Sequence, residues 1–230
     1  MPLLDDAYDV SSLRRFKGFI FDCDGVLIDS LQANVVYYNK YRTHFGLPPM
    51  SPEDEQYTHI QNVYDSLRRI VPEEHYEAAL SYRSQIDYRD MLPFLTREPG
   101  IRKLLGWLKG AGFLLGVDTN RMDTVHLVFK AVDLEGYFSP VMTVANTAAP
   151  KPNPDGVRQI LEAWGLGRDD VAFLGDSSVD MDTARNAGVA FWAFKNPDLA
   201  SDLLVPDFPT LLSALKRAWP ELPPVSAGQP

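Results

Sequence analysis

The amino-acid sequence predicts an α/β fold, in which a Rossmann-like parallel sheet carries helices on both faces and an all-helical segment is inserted. Two observations predict this fold. Short apolar runs alternate with segments of helical periodicity, and residues 31–93 contain no convincing strand. Strands that alternate with helices are typical of parallel βαβ units, whose sheet is covered on both faces. The chain has 230 residues, enough for a core domain with a smaller insert.

Five apolar runs are too short for helices and are bounded by charge, glycine or proline, which predicts buried strands. The predicted strands are residues 18–22, 113–118, 141–144, 171–175 and 189–194. Between them, apolar residues recur three and four positions apart in three segments that stop at or just before Gly110, Gly165 and Gly188. A glycine at the end of such a segment predicts the C-terminus of a helix.

The inserted segment has three candidate helix starts. Ser30 precedes a helical stretch that stops at Gly46, and residues 51–54 combine a serine cap, a proline and two acids. A further start lies at residues 72–74, Pro-Glu-Glu. We therefore expect the chain to divide into a Rossmann-like core of residues 1–30 and 94–219, a helical cap of residues 31–93, and a disordered tail of residues 220–230.

Composition narrows the class of partner. The formal charge of −9 argues against a nucleic-acid binder, which needs clustered basic residues. Cys23 is the only cysteine, so neither an internal disulfide nor a cysteine-based zinc site can form. The first ten residues lack the apolar run of a secretory signal, and no stretch approaches the ~20 apolar residues that span a bilayer. We expect a cytoplasmic protein with neither a nucleic-acid nor a membrane partner, and the oligomeric state stays open.

Acidic side chains follow two of the predicted strands. Asp22 and Asp24 come at the end of the first strand, and Asp176 and Asp180 follow the fourth. Ligands of open parallel sheets bind at the carboxyl ends of strands, so we expect these four carboxylates to meet in one crevice. Their mutual repulsion is costly unless a cation is present. An all-oxygen ligand set suits a hard ion, with Mg²⁺ as the first candidate.

Two other strand ends carry polar residues. The second predicted strand runs into Asp118-Thr119-Asn120-Arg121, and Lys151 stands next to a proline after the third. Each feature also has a simpler interpretation. Thr119 or Asn120 could cap a helix, Lys151 could be an exposed loop lysine, and Asp176 and Asp180 could be helix-start acids favoured by the dipole.

The residues resemble the haloacid dehalogenase (HAD) superfamily from residue 16 to about residue 208. Four segments look like its four motifs, in family order and at family-like spacing: residues 22–30 (DCDGVLIDS), 119–120 (TN), 151–155 (KPNPD) and 175–180 (GDSSVD). The small helical cap between the first two motifs is similar to that of the phosphoglycolate-phosphatase and β-phosphoglucomutase branch.

The resemblance implies a role for each motif residue. Asp22 is expected to be the nucleophile and a metal ligand. Asp24 is expected to act as general acid and base and to give the metal its backbone carbonyl. Thr119, helped by the Asn120 region, would bind the transferring phosphoryl group, and Lys151 would bridge the nucleophile and the phosphoryl oxygens.

The resemblance also implies the metal site. Asp176 is expected to be a ligand of Mg²⁺, and Asp180 is expected to hold Lys151 or metal-bound water. Asp24 must be protonated to release an alkoxide and ionised to activate water. We expect the neighbouring carboxylates to raise the pKa of Asp24 toward that double use.

The implied reaction is hydrolysis of a small phosphorylated metabolite through a phosphorylated Asp22. An aspartate at position 24 favours a phosphate ester, because dehalogenases of the superfamily lack it. Two alternatives stay open. A sugar phosphomutase would use the same residues and return the phosphoryl group to substrate. A catalytically silent binding or regulatory protein could share the fold.

Several conspicuous residues are interpreted more simply. Cys23 is expected to be buried and inert, and the cap tyrosines to be packing residues. The four histidines show no metal-ligand spacing. Arginines of the cap could meet a second anionic group of a substrate or could lie on solvated helix faces: Arg42, Arg68, Arg69 and Arg83.

Overall fold

The structure, a computed structural model, describes residues 1–222. The strands are β1 Gly18–Phe21, β2 Ile28–Asp29, β3 Thr96–Arg97, β4 Leu114–Asp118, β5 Val141–Met142, β6 Val171–Gly175, β7 Ala190–Phe194 and β8 Leu203–Val205. The helices are α1 Leu31–His44, α2 Pro52–Ile60, α3 Val63–Ile70, α4 Tyr76–Tyr82, α5 Ile101–Gly110, α6 Val125–Ala131, α7 Asp155–Trp164, α8 Ser178–Ala187 and α9 Phe208–Ala218. Short 3₁₀ segments lie at Val10–Arg15, Glu73–His75, Arg83–Gln85, Tyr88–Phe94 and Arg168–Asp170.

Six strands form one parallel sheet in the order β5-β4-β1-β6-β7-β8. The five predicted strands are all in this sheet, which confirms the predicted fold class. β1 lies in the middle, and its last residue, Phe21, pairs with Val117 of β4 and Leu174 of β6. The carboxyl ends of β1, β4 and β6 are therefore neighbours at one edge of the sheet.

Both faces of the sheet are covered by helices, as predicted. Successive side chains of β1 point to opposite faces. Phe19 and Phe21 pack in a cluster with residues of α5, α6 and α9, whereas Ile20 packs in a second cluster with residues of α7 and α8. The buried apolar area on both faces fixes the sheet and hence the positions of its strand ends.

The predicted helix ends are confirmed at two glycines. Gly165 and Gly188 cap α7 and α8 in the left-handed conformation, with φ of 62° and 76°. Several elements were not predicted, among them β2, β3, α3, β8 and α9. β8 has only three residues, and α9 starts at an Asp207 cap whose side chain accepts from the Thr210 amide.

The inserted segment, α1 to α4, leaves the core through β2 and returns through β3. These two strands form an antiparallel ribbon in which Ile28 pairs with Arg97 and Asp29 pairs with Thr96. The segment has its own apolar cluster, centred on Tyr41 and Leu67. It is all-helical, as predicted, and its treatment as a separate domain of residues 31–93 stays a prediction.

The candidate helix starts of the insert have different outcomes. Ser51 caps α2 by accepting a hydrogen bond from the Asp54 amide, as predicted. The prediction for Ser30 is wrong in its detail: α1 starts at the next residue, but the Ser30 hydroxyl donates to Asp24 and makes no cap bond. Residues 72–74 lead into a 3₁₀ turn ahead of α4.

The predicted tail is described only in part. Residues 223–230 lie outside the described residues. Glu221, which the structure does describe, forms an ion pair with Arg14, with 2.6 Å between Glu221 Oε1 and Arg14 Nη2. Among residues 1–222, none of the helices combines the length and the apolar character that crossing a membrane requires.

Candidate active site

Three buried or half-buried carboxylates meet where β1 and β6 end. Asp22 directly follows β1, Asp176 directly follows β6, and Asp180 lies in the first turn of α8. One carboxylate oxygen of each lies within 4.8 Å of the other two. These are three of the four acids expected in one crevice; Asp24 lies outside this group of three but lines the same cavity as Asp22 and Asp176.

Lys151 lies inside the carboxylate cluster. Its ammonium nitrogen Nζ donates to Asp22 Oδ1 at 2.8 Å and to Asp180 Oδ1 at 2.6 Å. The residue is only 6% exposed, so the interpretation of Lys151 as an exposed loop lysine is wrong. Burial opposes the charged ammonium, but the carboxylates of Asp180, Asp22 and Asp118 together raise the pKa of Lys151 above its usual value. Lys151 is therefore a fixed positive charge.

The backbone of Lys151 is held by Asn120. The Asn120 side chain accepts from the Lys151 amide at 2.8 Å and donates to the Lys151 carbonyl oxygen at 3.3 Å. Lys151 follows β5 and Asn120 follows β4, two adjacent strands. The second predicted motif thereby positions the third.

Asp180 is held by the start of α8. Its Oδ2 accepts from the Ser177 hydroxyl at 2.6 Å and from the amides of Ser177 and Asp176 at 3.1 and 3.2 Å. Ser177 in turn caps the helix by accepting from the Asp180 amide. The helix-start interpretation and the site interpretation of Asp180 therefore both apply, because one oxygen closes the capping box and the other accepts from Lys151.

Ionising all the carboxylates of this cluster together is unfavourable. Burial is the largest cause that raises the pKa of Asp22 well above its usual value, and Lys151 offsets only part of it. Burial and the charge of Asp180 raise the pKa of Asp176 to about 7. A divalent cation would offset both effects, and three carboxylates supply the oxygen ligands that a hard cation prefers. The residues present therefore fit a divalent metal site.

The backbone of Gly25 lies close to the Asp176 carboxylate of the same cluster. Gly25 has a left-handed φ of 78°, and a Cβ built on it would collide with the Asp176 carboxylate. A residue with a side chain at this position would be strained and would also displace Asp176.

Asp24 forms an ion pair with Arg121, a residue for which the sequence predicted no role. The Arg121 guanidinium donates from Nε to Asp24 Oδ2 at 2.7 Å and from Nη2 to Oδ1 at 2.6 Å. Ser30 donates to Oδ1 as well. Burial by itself raises the pKa of Asp24, but the charge and hydrogen bonds of Arg121 and the Ser30 bond together lower it. The expectation that neighbouring carboxylates raise this pKa is wrong.

Thr119 and Asn120 do not cap a helix. The next helix, α6, begins at Val125, and the residue before it is Thr124. The Thr119 hydroxyl oxygen instead accepts from the Arg121 amide at 3.2 Å. Thr119 is almost fully buried and lines the same cavity as Asp22 and Lys151.

The cavity above the strand ends has a volume of about 100 Å³. The insert contributes part of its wall, including Asn34, Tyr37, His59 and Arg83. Tyr37 packs against two apolar clusters, as predicted, and it also lines the cavity. Arg83 is no free helix-face arginine, because it forms an ion pair with Asp123 of the core.

Two further buried groups lie near the site. Cys23 is fully buried, and burial raises the pKa of its thiol, which agrees with an inert packing role. Asp118, at the end of β4, is 2% exposed, and its Oδ2 has no hydrogen-bond partner among the described residues. Burial raises the pKa of Asp118 to about 7.

Comparisons with known proteins place this geometry in a family. The family model "Haloacid dehalogenase-like hydrolase" matches residues 19–194. The chain is 31% identical over 189 residues to phosphoglycolate phosphatase of Chromobacterium violaceum, covering 78% of this chain and 85% of that protein. It is 27% identical over 176 residues to pyrophosphatase PpaX of Bacillus velezensis, covering 76% and 81%.

A solved structure agrees with these relatives. The crystal structure of a HAD-superfamily hydrolase of subfamily IA from Geobacter sulfurreducens superposes with a TM-score of 0.76 and 34% identity, covering 86% of this chain and 98% of that one. Fold, motif order and sequence similarity thus lead to the same assignment. The chain belongs to the haloacid dehalogenase-like hydrolase family.

Proposed function

We propose that this chain is a magnesium-dependent phosphatase that hydrolyses a small phosphorylated metabolite through a phosphorylated Asp22. The observation that carries the proposal is the contact of Lys151 with Asp22 at 2.8 Å, beside the carboxylate of Asp176 and in the same cavity as Thr119. A carboxylate nucleophile and a fixed cation then lie where a phosphoryl group would bind, and charge compensation is the main requirement of phosphoryl transfer.

In the first step, an Asp22 carboxylate oxygen attacks phosphorus and the ester bond to the leaving oxygen breaks. Asp24, which is ionised while it pairs with Arg121, first takes up a proton from water and then gives it to that oxygen, so the leaving group departs as an alcohol. Lys151 and the Thr119 hydroxyl stabilise the negative charge on the phosphoryl oxygens. Covalent transfer to Asp22 divides one slow hydrolysis into two faster steps.

In the second step, a water molecule attacks the phosphorus of phosphorylated Asp22. The water gives a proton to Asp24, which is ionised after the first step, and the bond between phosphorus and Asp22 breaks. Inorganic phosphate leaves, and Asp22 returns as a carboxylate. Acid and base catalysis by one residue contributes typically ~10²–10⁴-fold to each step.

Asp22 and Asp176, with the backbone carbonyl of Asp24, are the proposed ligands of Mg²⁺. The bound ion would act as a Lewis acid that reduces the negative charge around the transferred group. Asp180 is the least available member of the predicted set, because its two oxygens accept hydrogen bonds from Lys151, Ser177 and the Asp176 amide. We therefore propose that Asp180 contributes mainly by positioning Lys151.

Hydrolysis is favoured over the mutase alternative by the names of the relatives. Both curated relatives described above carry phosphatase names, phosphoglycolate phosphatase and pyrophosphatase. A net charge of −9 supports a small metabolite rather than a nucleic acid as the partner. A single, buried cysteine is compatible with the proposed cytoplasmic location. We also propose that residues 31–93 act as a cap, since several of them line the cavity.

A screen of phosphorylated metabolites for released phosphate tests the proposal. With Mg²⁺ present, we expect the wild-type chain to release phosphate from at least one short ester, and chelation by EDTA to stop the release until Mg²⁺ is added back. Incubation with a sugar 1-phosphate separates the mutase alternative, because a mutase forms the 6-phosphate instead. Binding of metabolites without any turnover across the panel would contradict the proposal.

A further inference from the structure

Arg121 forms an ion pair with Asp24, the residue that the proposed reaction needs for proton transfer. Nε and Nη2 of Arg121 contact the two carboxylate oxygens of Asp24 at 2.7 and 2.6 Å. Ser30 also donates to one of them. A carboxylate has about four lone-pair sites, so three of them are already in use in this arrangement. Asp24 is therefore bound to protein groups rather than available to a leaving oxygen.

Arg121 is anchored independently of Asp24. Its remaining terminal nitrogen, Nη1, donates to the Tyr88 hydroxyl at 2.6 Å and to Thr124 Oγ1 at 3.2 Å. The guanidinium also lies over the Tyr88 ring, 5.3 Å from its centroid. One edge of the guanidinium is thus fixed by neutral hydroxyls, and the opposite edge presents two parallel N–H groups. Such a fork is matched to a carboxylate or another oxyanion.

The fork faces the substrate cavity. Arg121, Asp24, Asp22 and Lys151 all line it, and the Arg121 side chain is 8% exposed. A substrate whose phosphoryl group lies at Asp22 and Lys151 therefore brings a second anionic group, a few bonds from phosphorus, into the same cavity. It would share the cavity with the Arg121 fork.

We propose that Arg121 is a positioning residue that holds Asp24 in the resting site and exchanges it for a second anionic group of the substrate, which frees Asp24 for proton transfer. The inference rests on the proposed phosphatase function. An incoming carboxylate replaces one carboxylate by another on the same fork, while the bonds to Tyr88 and Thr124 stay in place. Arg121 returns to Asp24 only after phosphorylated Asp22 has been hydrolysed, because Asp24 accepts the proton of the attacking water in that step; Asp24 then gives this proton to solvent.

This exchange makes Arg121 a determinant of specificity through the rate of the chemical step. A substrate without a second anion leaves the ion pair intact, so Asp24 stays engaged although the phosphoryl group is bound. The difference between substrates with and without a second anionic group is therefore expected mainly in kcat rather than in KM. An arginine with a purely structural role would affect both kinds of substrate in the same proportion.

The test compares 2-phosphoglycolate with its amide, 2-phosphoglycolamide, which has nearly the same shape but no second anion. We expect wild-type kcat to be about 10- to 100-fold higher for the acid, the range that a charge-assisted hydrogen bond supports. In Arg121→Met, we expect kcat for the amide to rise and kcat for the acid to fall, so that the two agree within about threefold.

Arg83→Met is the matched comparison, because Arg83 is a second arginine at the same cavity that pairs with Asp123 rather than with Asp24. We expect its acid-to-amide ratio to stay near that of wild type. Loss of the ratio in Arg83→Met but not in Arg121→Met would overturn the assignment to Arg121. If Arg121→Met does not fold, Arg121→Lys replaces it, since lysine keeps the charge but cannot bridge both oxygens of Asp24.

The outcomes separate the inference from the function. Failure of wild type to release phosphate from any ester, p-nitrophenyl phosphate included, would reject the phosphatase proposal. An active wild type that hydrolyses the acid and the amide equally, or neither of them, would reject only the exchange at Arg121. A proportional loss of both activities in Arg121→Met would also reject it.

Discussion

Lys151 Nζ lies 2.8 Å from Asp22 Oδ1, although the two residues are 129 positions apart in the chain. The contact exists because β1 and β5 end at the same edge of the parallel sheet, separated only by β4. It gives the proposed nucleophile a permanent cationic neighbour. An anionic phosphoryl group that approaches Asp22 would meet this charge as well as the repulsion of the carboxylates.

Removal of the proposed nucleophile gives the most direct prediction. Asp22→Asn keeps the shape of the side chain but makes it a poor nucleophile, so we expect phosphate release to fall at least about a thousandfold. Asp182→Asn is the matched control, because Asp182 is an acid of α8 that pairs with Arg185 outside the cluster. Turnover near the wild-type rate in Asp22→Asn would contradict the mechanism.

Gly25 and Gly112 form a matched pair for testing the shape of the metal site. Both have left-handed φ, 78° and 86°, so alanine costs roughly 1–2 kcal/mol of backbone strain at either position. Only at Gly25 would the new Cβ collide with Asp176, whereas a Cβ on Gly112 meets nothing within 4 Å. We expect Gly25→Ala to lose Mg²⁺-dependent activity and Gly112→Ala to keep it. Equal activity of the two variants, measured at equal folded fraction, would refute this role of Gly25.

The stability of the metal-free protein is expected to fall as pH rises from about 4 to 7. Folding raises the pKa of Asp22 above its usual value, and it raises the pKa values of Asp176 and Asp118 to about 7. In that window the folded chain binds more protons than the unfolded chain, so the free energy of unfolding decreases with pH. The opposite contribution, from acids such as Asp24 whose pKa is lowered, changes mainly below about pH 4.

Urea unfolding in EDTA at pH 5 and pH 8 measures this dependence. We expect a decrease on the order of a few kcal/mol between the two values, and a smaller decrease with saturating Mg²⁺, because a bound cation favours the ionised carboxylates. A stability that is constant or increases between pH 5 and pH 8 without metal would contradict the assigned directions.

Asp118→Asn tests how much one buried acid outside the metal cluster contributes to the pH dependence of stability. Asp118 is buried with an unpartnered Oδ2 among residues 1–222, and it is outside the set of three clustered acids. Asparagine has nearly the same shape and no charge, so we expect a weaker pH dependence of stability, by on the order of 1–4 kcal/mol between pH 5 and 8. Asp182→Asn again serves as the control, and an unchanged slope in Asp118→Asn would show that this carboxyl does not contribute.

Much of the fold could be predicted from sequence because its signals are local. The buried runs at β1, β4 and β6 and the glycines after α7 and α8 are readable within a few residues. β8 was not predicted because its apolar run of three residues, between Asp202 and Pro206, is shorter than the five runs from which strands were predicted; it pairs with β7 at the end of the sheet.

The candidate site was predictable where strand ends determine it. Asp22, Asp176 and Asp180 meet because the topology of a parallel sheet brings them together. Arg121 was not predictable in the same way. It stands in the sequence next to Thr119 and Asn120, but its partner Asp24 lies 97 positions away, and only the rotamers of both side chains decide that they pair.

The β2–β3 ribbon determines where the inserted segment joins the core. Ile28 and Arg97 are cross-strand partners, so the chain leaves the sheet and comes back to it at a single place. The stretch between them includes Ser30 and Tyr88, which contact Asp24 and Arg121, but most of it lies outside the sheet. We therefore expect that grafting the corresponding stretch of a relative between these two strands, with Ser30 and Tyr88 kept, exchanges the part of the cavity wall that the insert supplies and leaves the carboxylate cluster in place.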